Sequence, residues 1–384
     1  MRFEFAAPTR IVLGAGTVRE VAPAAKDFGH RVLIVTGKSA ERSESLTAQL
    51  AEAGVSNCHF LVDGEPTLDI VRAGVELARV ERCDFVIGFG GGSALDAAKA
   101  IAALLTNPGE LLEYLEVIGA GKPLANPGAP FIAIPTTAGT GTEVTRNAVL
   151  ASPEHRVKVS LRSPLMLARL AVVDPELTFD LPRAVTARTG LDALTQLVEP
   201  YVSLYANPMT DGFCVEGLRR VARSLRRAFH SGHDAEARTD MSISSLLSGL
   251  SLANAGLGVV HGFAGPVGGM FPAPHGAICA ALLPFGMEMN IRALRSRAPE
   301  SESLRKYQTV ASILMGDPNA SAQDGVNWTT EICKEFGIPA LGSYGVGTEH
   351  IPAVVEKAVQ ASSMKANPIV LTREELHEVL ARSL

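Results

Sequence analysis

The chain has few aromatic residues and no dense run of basic residues. Its 384 residues include one tryptophan, five tyrosines and fourteen phenylalanines, and 35 lysines and arginines are set against 40 aspartates and glutamates. A net charge of −5 without a basic cluster argues against a surface for nucleic acid or anionic membranes, and so few rings argue against base-stacking platforms. We therefore expect neither a nucleic-acid nor a membrane partner.

The sequence also lacks a disulfide framework. Its five cysteines form no C-x-x-C pair, and their number is odd. In a chain of this length the pattern indicates reduced thiols, mostly in the core of a cytosolic protein. The first five residues do not form the apolar stretch of a secretory signal peptide. We expect a cytoplasmic location.

Formal charge is missing from one long segment. Residues 241–287 contain no aspartate, glutamate, lysine or arginine, yet nine glycines, several prolines and two histidines interrupt the segment. These interruptions argue against a continuous transmembrane helix. We interpret the segment as closely packed helices around a site that keeps its polar residues for chemistry.

The pattern of the sequence changes near residue 180. Before it, short apolar runs alternate with helical patterns; the runs are 31–36, 84–89, 131–134 and 171–173, and the helical patterns are 66–80 and 93–105. Continuous apolar strands separated by helices predict a parallel sheet covered on both faces, and residues 3–5 and 11–13 are candidates for an edge hairpin. After it, helical patterns dominate, at 186–203, 211–230, 237–257 and 350–383. The sequence predicts an α/β domain over residues 1–180 and an all-α domain over residues 181–384.

A strand, a triple glycine and a helix start follow one another over Gly88–Lys99. This arrangement places bare backbone N–H groups at a helix N-terminus, where glycine lets a pyrophosphate approach the backbone. Ser93 and Asp96 have the spacing of a capping box, which predicts where the helix begins. A tight turn needs only one glycine, so three in a row favour phosphate binding. Because Ser93 replaces a final glycine, the segment is neither an ordinary Rossmann nor a P-loop motif.

A second loop, Pro135–Thr145, is rich in threonine and glycine and follows a strand. It offers many short hydrogen-bond donors at the carboxyl edge of the predicted sheet, where open α/β sheets bind ligands. Because its flanks look buried, a binding loop is favoured over a flexible surface loop.

The third set of residues is acidic and imidazole. Asp192 and Gln196 lie one helical turn apart on the same face, and His261 and His275 lie in the charge-free segment. A carboxylate and two imidazoles are a common ligand set for a catalytic divalent ion. One buried histidine alone is more often a core residue, but two in an uncharged, glycine-rich segment favour ligands.

Together these segments resemble the iron-containing (group III) alcohol dehydrogenase family over nearly the whole chain. The motifs that carry the resemblance are Gly90-Gly91-Gly92-Ser93 with Asp96 and Lys99, Pro135-Thr136-Thr137 to Glu143-Val144-Thr145, Lys158 before Ser163-Pro164, Asp174-Pro175-Glu176-Leu177-Thr178, Thr189-Gly190-Leu191-Asp192-Ala193-Leu194, and Gly258-Val259-Val260-His261 through Pro274-His275-Gly276. The resemblance implies a dinucleotide-binding N-terminal domain and a helical, metal-carrying C-terminal domain, an architecture shared with dehydroquinate synthase. It also implies hydride movement between nicotinamide and a carbonyl or alcohol.

The resemblance further implies roles for individual residues. Those expected to bind NADP or NAD are Gly37, Gly90, Gly91, Gly92, Ser93, Asp96, Thr136, Thr137, Thr145 and Lys158. Those expected to bind a divalent metal, iron or zinc, are Asp192, Gln196, His261 and His275, of which Asp192, His261 and His275 are also the expected catalytic residues.

Two positions depart from the family pattern. Gln196 stands where the family usually has a histidine, four residues after Asp192, and Gly265 stands where a further active-site histidine is usual. We expect three strong ligands, with Gln196 a distant fourth or a hydrogen-bonding neighbour. Metal binding should then be weaker than in four-ligand relatives, so that preparations come out partly or wholly without metal. The second change removes a proton-handling group.

The cofactor preference is predicted from Gly37, which closes the strand 31–36 where NAD-preferring relatives commonly have an aspartate. Without a carboxylate to repel a 2′-phosphate, and with Lys38 or Arg42 to meet it, the enzyme should lean towards NADPH or accept both cofactors. The edge hairpin separately predicts a homodimer, because a second subunit would cover its open ladder groups.

The leading hypothesis is an NAD(P)-dependent, metal-assisted oxidoreductase that interconverts an alcohol and an aldehyde or ketone. The second hypothesis is a metal-independent reductase of the same fold, similar to maleylacetate reductases. It ranks second because those relatives tend to replace the metal-binding aspartate, whereas this chain keeps it as Asp192. A lyase resembling dehydroquinate synthase ranks third, since the unbroken dehydrogenase motifs count against it. A non-catalytic binding protein is the remaining hypothesis. No motif fixes the small-molecule substrate.

Overall fold

The structure, a computed structural model, describes residues 2–384, apart from the side chain of Ala40. It separates into two compact units. The first, called the α/β unit below, comprises Ala6–Thr137 and Gly141–Phe179, and the second, called the helical unit, comprises the described residues up to Phe5, Ala138–Thr140 and Asp180–Leu384.

The α/β unit is built on a parallel sheet. Its strands, with the hairpin that follows them in the chain, are β1 (Arg10–Leu13), β2 (Arg31–Thr36), β3 (Ser56–Leu61), β4 (Phe85–Gly90), β5 (Phe131–Pro135), β6 (Asn147–Ser152), β7 (Val157–Arg162) and β8 (Leu170–Val173). Among the described residues, the sheet order is β1-β8-β5-β4-β2-β3, while β6 and β7 pair antiparallel with each other. The unit's helices are α1 (Val21–Ala25), α2 (Glu44–Glu52), α3 (Leu68–Val80), α4 (Gly92–Thr106) and α5 (Leu111–Tyr114).

Alternation along the strands divides their apolar side chains between the two faces of the sheet. On β2, Leu33 and Val35 pack with residues of α3 and α4, while Val32 and Ile34 pack with residues of α1 and α2. Both faces of β2 are therefore buried, which explains why residues 32–35 are apolar without interruption. The predicted parallel sheet covered on both faces is confirmed.

The predicted edge hairpin is wrong. β1 pairs in parallel with β8, with Arg10 opposite Leu170, and Phe5 instead contacts Phe213 in the helical unit, their ring centroids 5.7 Å apart. An extended run of only three residues does not determine which strand it pairs with. Here β8 pairs with β1 along its whole length. β1 is an edge strand of the sheet, and the homodimer remains a prediction.

The helical unit follows the sequence patterns closely. Its helices are α6 (Arg183–Val202), α7 (Pro208–His230), α8 (Ala235–Ala255), α9 (Val259–Met270), α10 (His275–Arg297), α11 (Glu302–Met315), α12 (Ala322–Glu335), α13 (Ile351–Val359) and α14 (Arg373–Arg382). The single pattern predicted over 350–383 is two helices, α13 and α14. Asn367, between them, is extended because it precedes a proline, which disfavours the helical conformation. The predicted fold class, an α/β N-terminal part followed by an all-α part, is confirmed.

The charge-free segment forms most of α8, all of α9 and the first half of α10. By length and composition α10 could cross a membrane, and α8 and α9 pass the same test only as a pair, bent by 98°. Of the apolar stretch of α10 that passes this test, 78% is buried inside the protein, which is typical of a core helix.

Candidate metal centre and cofactor loop

Three neighbouring strands of the α/β unit, β2, β4 and β5, end at one edge of the sheet. The backbone N–H of Thr136 donates to the carbonyl of Gly90 at 2.9 Å, so the two loops that follow β4 and β5 begin side by side. A Cβ on Gly90 would lie 3.4 Å from the nitrogen of Gly37, and one on Gly91 would lie 3.4 Å from the methyl carbon of Thr137. The structure thus brings together the predicted cofactor residues at the ends of all three strands.

The helix α4 begins at Gly92 immediately after this edge, with Gly91 as its N-cap residue and Ser93 half-buried in its first turn. The first N–H groups of a helix have no intrahelical acceptor, and here they follow bare glycine backbone, which suits a phosphate. The predicted capping box between Ser93 and Asp96 is wrong. The carboxylate of Asp96 instead accepts hydrogen bonds from the hydroxyl of Thr142 and from the N–H of Val149 at 3.1 Å.

Other predicted cofactor residues are engaged by buried cations. Lys99, only 1% exposed, donates to the carbonyl oxygens of Thr142, Thr145 and Asn147 and to the Thr145 hydroxyl, at 2.7–3.0 Å. Burial lowers the pKa of Lys99 to about 8, against the opposing charge of Asp96. These contacts hold the end of the loop Pro135–Thr145 against α4.

Lys158, also predicted to line the cofactor, lies on β7. Its ammonium pairs with the carboxylate of Glu65 at 2.9 Å, and its side chain is 3% exposed. Thr145 and Lys158 are therefore already held by protein groups, whereas Gly37, Gly91 and Thr137 line the edge of the sheet.

The acidic and imidazole residues meet inside the helical unit. Asp192 lies on α6, His261 on α9, and His275 with Cys279 on α10, and one ligand atom from each lies within 4.8 Å of the others. Asp192 Oδ1 lies 3.5 Å from His261 Nε2 and 3.7 Å from His275 Nε2. The sulfur of Cys279 lies 3.7 Å from each of the same two nitrogens. We call these four residues the ligand cluster.

Close helix packing positions this cluster. A Cβ on Gly276 would lie 2.4 Å from the backbone oxygen of Arg188, so the first turn of α10 is pressed against α6. Only a residue without a side chain permits this approach. It places His275 next to the turn of α6 that carries Asp192.

A buried carboxylate on α6 orients His261. Glu199 Oε2 lies 2.6 Å from His261 Nδ1, and Glu199 Oε1 accepts the N–H of Val260 at 2.7 Å. A Cβ on Gly258 would lie 2.9 Å from the same carboxylate. The hydrogen bond keeps a proton at Nδ1 and leaves Nε2 to face the ligand cluster. Sequence reasoning missed Glu199, although it follows Asp192 by two helical turns and so shares its face.

The ionisable groups of the ligand cluster shift one another's pKa values. Burial would raise the pKa of Asp192, but the imidazoles of His275 and His261 outweigh it and hold the pKa below its usual value. Burial opposes protonation of the two histidines, yet their interactions with Cys279 and Asp192 raise both of their pKa values. Among the described residues, Asp192 Oδ1 has no hydrogen-bond partner although it is buried. An unpartnered carboxylate oxygen facing two imidazoles fits a divalent cation.

The two departures from the family pattern also have places in the structure. Gln196 is buried on α6, and its Oε1 accepts a hydrogen bond from the hydroxyl of Ser248 at 3.0 Å. Gly265 lies on α9, one turn beyond His261. In the sequence, Cys279 looks like one of the core cysteines. Its spacing of four residues from His275 is the signal that would have identified it as a candidate ligand.

Comparison with known proteins gives matches along nearly the whole chain. The iron-containing alcohol dehydrogenase profile matches residues 8–175, and that of the C-terminal part of the Fe-containing alcohol dehydrogenase family matches residues 186–384. Long-chain-alcohol dehydrogenase 1 of Geobacillus thermodenitrificans is 36% identical over 96% of this chain and 93% of its own. NAD-dependent methanol dehydrogenase of Bacillus methanolicus is 32% identical over 99% of each chain. A crystal structure of 1,3-propanediol oxidoreductase superimposes with a TM-score of 0.92, at 32% identity and full coverage of both chains.

Proposed function

Because the chain belongs to the iron-containing alcohol dehydrogenase family, an oxidoreductase family acting on alcohols, we propose that it moves a hydride between NAD(P) and a small alcohol, aldehyde or ketone with the help of a bound divalent metal. The observation that carries the proposal is the ligand cluster, where a buried carboxylate oxygen that has no hydrogen bond among the described residues faces two imidazoles. The matched relatives are named for methanol and for long-chain alcohols, which supports an alcohol substrate without choosing its length.

The metal would be held by Asp192, His261 and His275. When bound, it would act as a Lewis acid that polarises the substrate oxygen. Asp192 supplies the negative charge that such an ion needs in a buried place. Glu199 holds the proton of His261 at Nδ1, so that Nε2 is free to act as a ligand.

Access to the site is uneven. The side chains of Asp192 and His261 are 1% and 5% exposed, whereas that of His275 is 32% exposed. Asp192 and His261 are therefore shielded from water, and a small molecule would reach the ligand cluster beside His275. With Gly265 in place of a histidine, α9 supplies no imidazole at that position to take up the alcohol proton.

In the α/β unit, the backbone amides at the start of α4 would bind the cofactor pyrophosphate, beside Gly37 and Thr137. This proposal rests on the convergence of the strand ends. It does not require Lys99 or Lys158 to leave their buried contacts.

Hydride transfer with and without chelator tests the proposed function. We expect oxidation of short alcohols and reduction of aldehydes, followed by the absorbance of the reduced cofactor. Activity should disappear after dialysis against a chelator and return with iron(II) or zinc. Full activity in the chelated protein would instead favour the metal-independent reductase, and no hydride transfer on any alcohol or aldehyde would reject the dehydrogenase function.

Cofactor preference is predicted from the position after β2. A Cβ at Gly37 would meet no described atom within 4 Å, so Gly37→Asp should fold normally. Its carboxylate should repel a 2′-phosphate and lower kcat/KM for NADPH by about 10–100-fold relative to NADH. Lys38, which pairs with Asp63 at 2.8 Å on the surface, is near enough in sequence to bind that phosphate in the wild type.

Steady-state kinetics with both cofactors measures the ratio of kcat/KM for NADPH to that for NADH. Gly37→Asn is the uncharged control and is expected to change this ratio little. A wild-type enzyme that strongly prefers NADH would show that the prediction of NADPH use or relaxed choice is wrong.

A further inference from the structure

We propose that Cys279 is the fourth protein ligand of the metal centre, giving a mixed set of one carboxylate, two imidazoles and one thiolate that favours zinc or cobalt(II) over iron(II). This inference rests on the proposed function, in which Asp192, His261 and His275 bind the metal.

The four distances that join Asp192 and Cys279 to the two imidazoles are close to the edges of a tetrahedral site. With ordinary zinc–ligand bond lengths, two nitrogen or oxygen ligands lie about 3.4 Å apart, and a nitrogen and a sulfur ligand about 3.6 Å apart. The Cys279 sulfur lies 3.7 Å from both His261 Nε2 and His275 Nε2. Asp192 Oδ1 lies 3.5 and 3.7 Å from the same atoms. These four distances lie within a few tenths of an ångström of the tetrahedral edges, and all four ligand atoms lie within 4.8 Å of one another.

The placement of Cys279 supports a ligand over a core residue. It follows His275 by one helical turn, so both side chains leave the same face of α10 towards Asp192. Cys214 is an internal comparison, because it is equally buried in the helical unit but does not belong to the ligand cluster. Burial raises the pKa of Cys214 to about 12, as expected for an inert core thiol.

The residue that stands where the family has a histidine is engaged elsewhere. Gln196 Oε1 accepts the hydroxyl of Ser248 at 3.0 Å, and a neutral amide oxygen is in any case a weak ligand for zinc. The thiol of Cys279 thus replaces the missing imidazole from a different helix. Thiolate ligands favour zinc, and zinc also ranks above iron(II) in the general order of affinities.

Cobalt(II) reports on such a site because a thiolate ligand gives it a charge-transfer absorption in the near ultraviolet, which carboxylate and imidazole ligands do not. The protein is stripped of metal and titrated with cobalt(II). We expect the band to grow to one equivalent in the wild type and to be missing in Cys279→Ser. The band should persist in the matched control Cys214→Ser and in Gln196→Ala. Zinc affinity, measured by competition with a chromophoric chelator, should fall by about 100-fold or more in Cys279→Ser.

Two results would overturn the inference, and they differ from failure of the proposed function. Uptake of cobalt(II) by the wild type without a thiolate band, or a band that survives in Cys279→Ser, would exclude Cys279 as a ligand while leaving metal-assisted hydride transfer intact. Hydride transfer by a wild type that takes up neither cobalt(II) nor zinc would reject the metal's role as well. The wild-type spectrum decides the question even if Cys279→Ser does not fold.

Discussion

Replacing Asp192 by alanine is expected to lower kcat/KM for alcohol oxidation at least about a thousandfold, the scale of losing several kcal/mol of transition-state stabilisation. Asp192 is the carboxylate of the ligand cluster, and its Oδ1 is buried without a hydrogen-bond partner among the described residues. Without it, His261 and His275 would face a cation with less compensating charge. Metal content, measured by elemental analysis, should fall together with activity.

The control for this experiment is Asp180→Ala, which removes an exposed carboxylate from the same unit and should change neither property. Asp192→Asn separates charge from shape, since the amide fills the same space, and it should also lose both metal and activity. A fully active Asp192→Ala enzyme would point to the metal-independent reductase.

Gly276→Ala is expected to lower the free energy of unfolding by about 2–3 kcal/mol, because a rigid backbone atom rather than a flexible side chain blocks the added methyl group. That Cβ would lie 2.4 Å from the oxygen of Arg188. To relieve the contact, α10 must move away from α6, which separates His275 and Cys279 from Asp192. We therefore expect loss of metal affinity along with stability, measured by urea denaturation and metal titration.

Gly212→Ala is the matched control. Gly212 lies on the exposed side of α7, where a Cβ would meet no described atom within 4 Å. Alanine has a higher helix propensity than glycine, so the free energy of unfolding of this variant should rise by about 0.5–1 kcal/mol. If Gly276→Ala behaved like Gly212→Ala, the close approach of the two helices would not hold the site together.

The fold was largely predictable because its main elements are specified locally. Strand 31–36 is apolar at its four central positions, a run that indicates burial on both faces and therefore a parallel sheet. The hairpin of β6 and β7 was not predicted, since β7 mixes charged and apolar residues and reads weakly as a strand. β1 was paired wrongly, because its true partner, β8, lies about 160 residues away in the chain.

The candidate site was predictable where chemistry depends on residue type and not where it depends on packing. Asp192, His261 and His275 stand out in the sequence because their surroundings carry little charge, and the structure brings them together. Glu199 and Cys279 do not stand out, since a glutamate on a helix usually faces water and an isolated cysteine is usually a core residue. Their helical spacing from Asp192 and His275 places them on the right faces, and the packing of α6, α9 and α10 brings both to the imidazoles. The roles of all five remain predictions.

The origin of the ligand cluster from three helices determines when the protein can mature. In the unfolded chain, Asp192, His261 and His275 are far apart, and no preformed site exists for a metal to fill. We therefore expect a metal to bind only after α6 has packed against α9 and α10. The ion that then fills the centre should depend on which metals are available to the newly folded protein, as well as on intrinsic affinity. We expect the same protein expressed in iron-rich and in zinc-rich media to carry the two metals in different proportions.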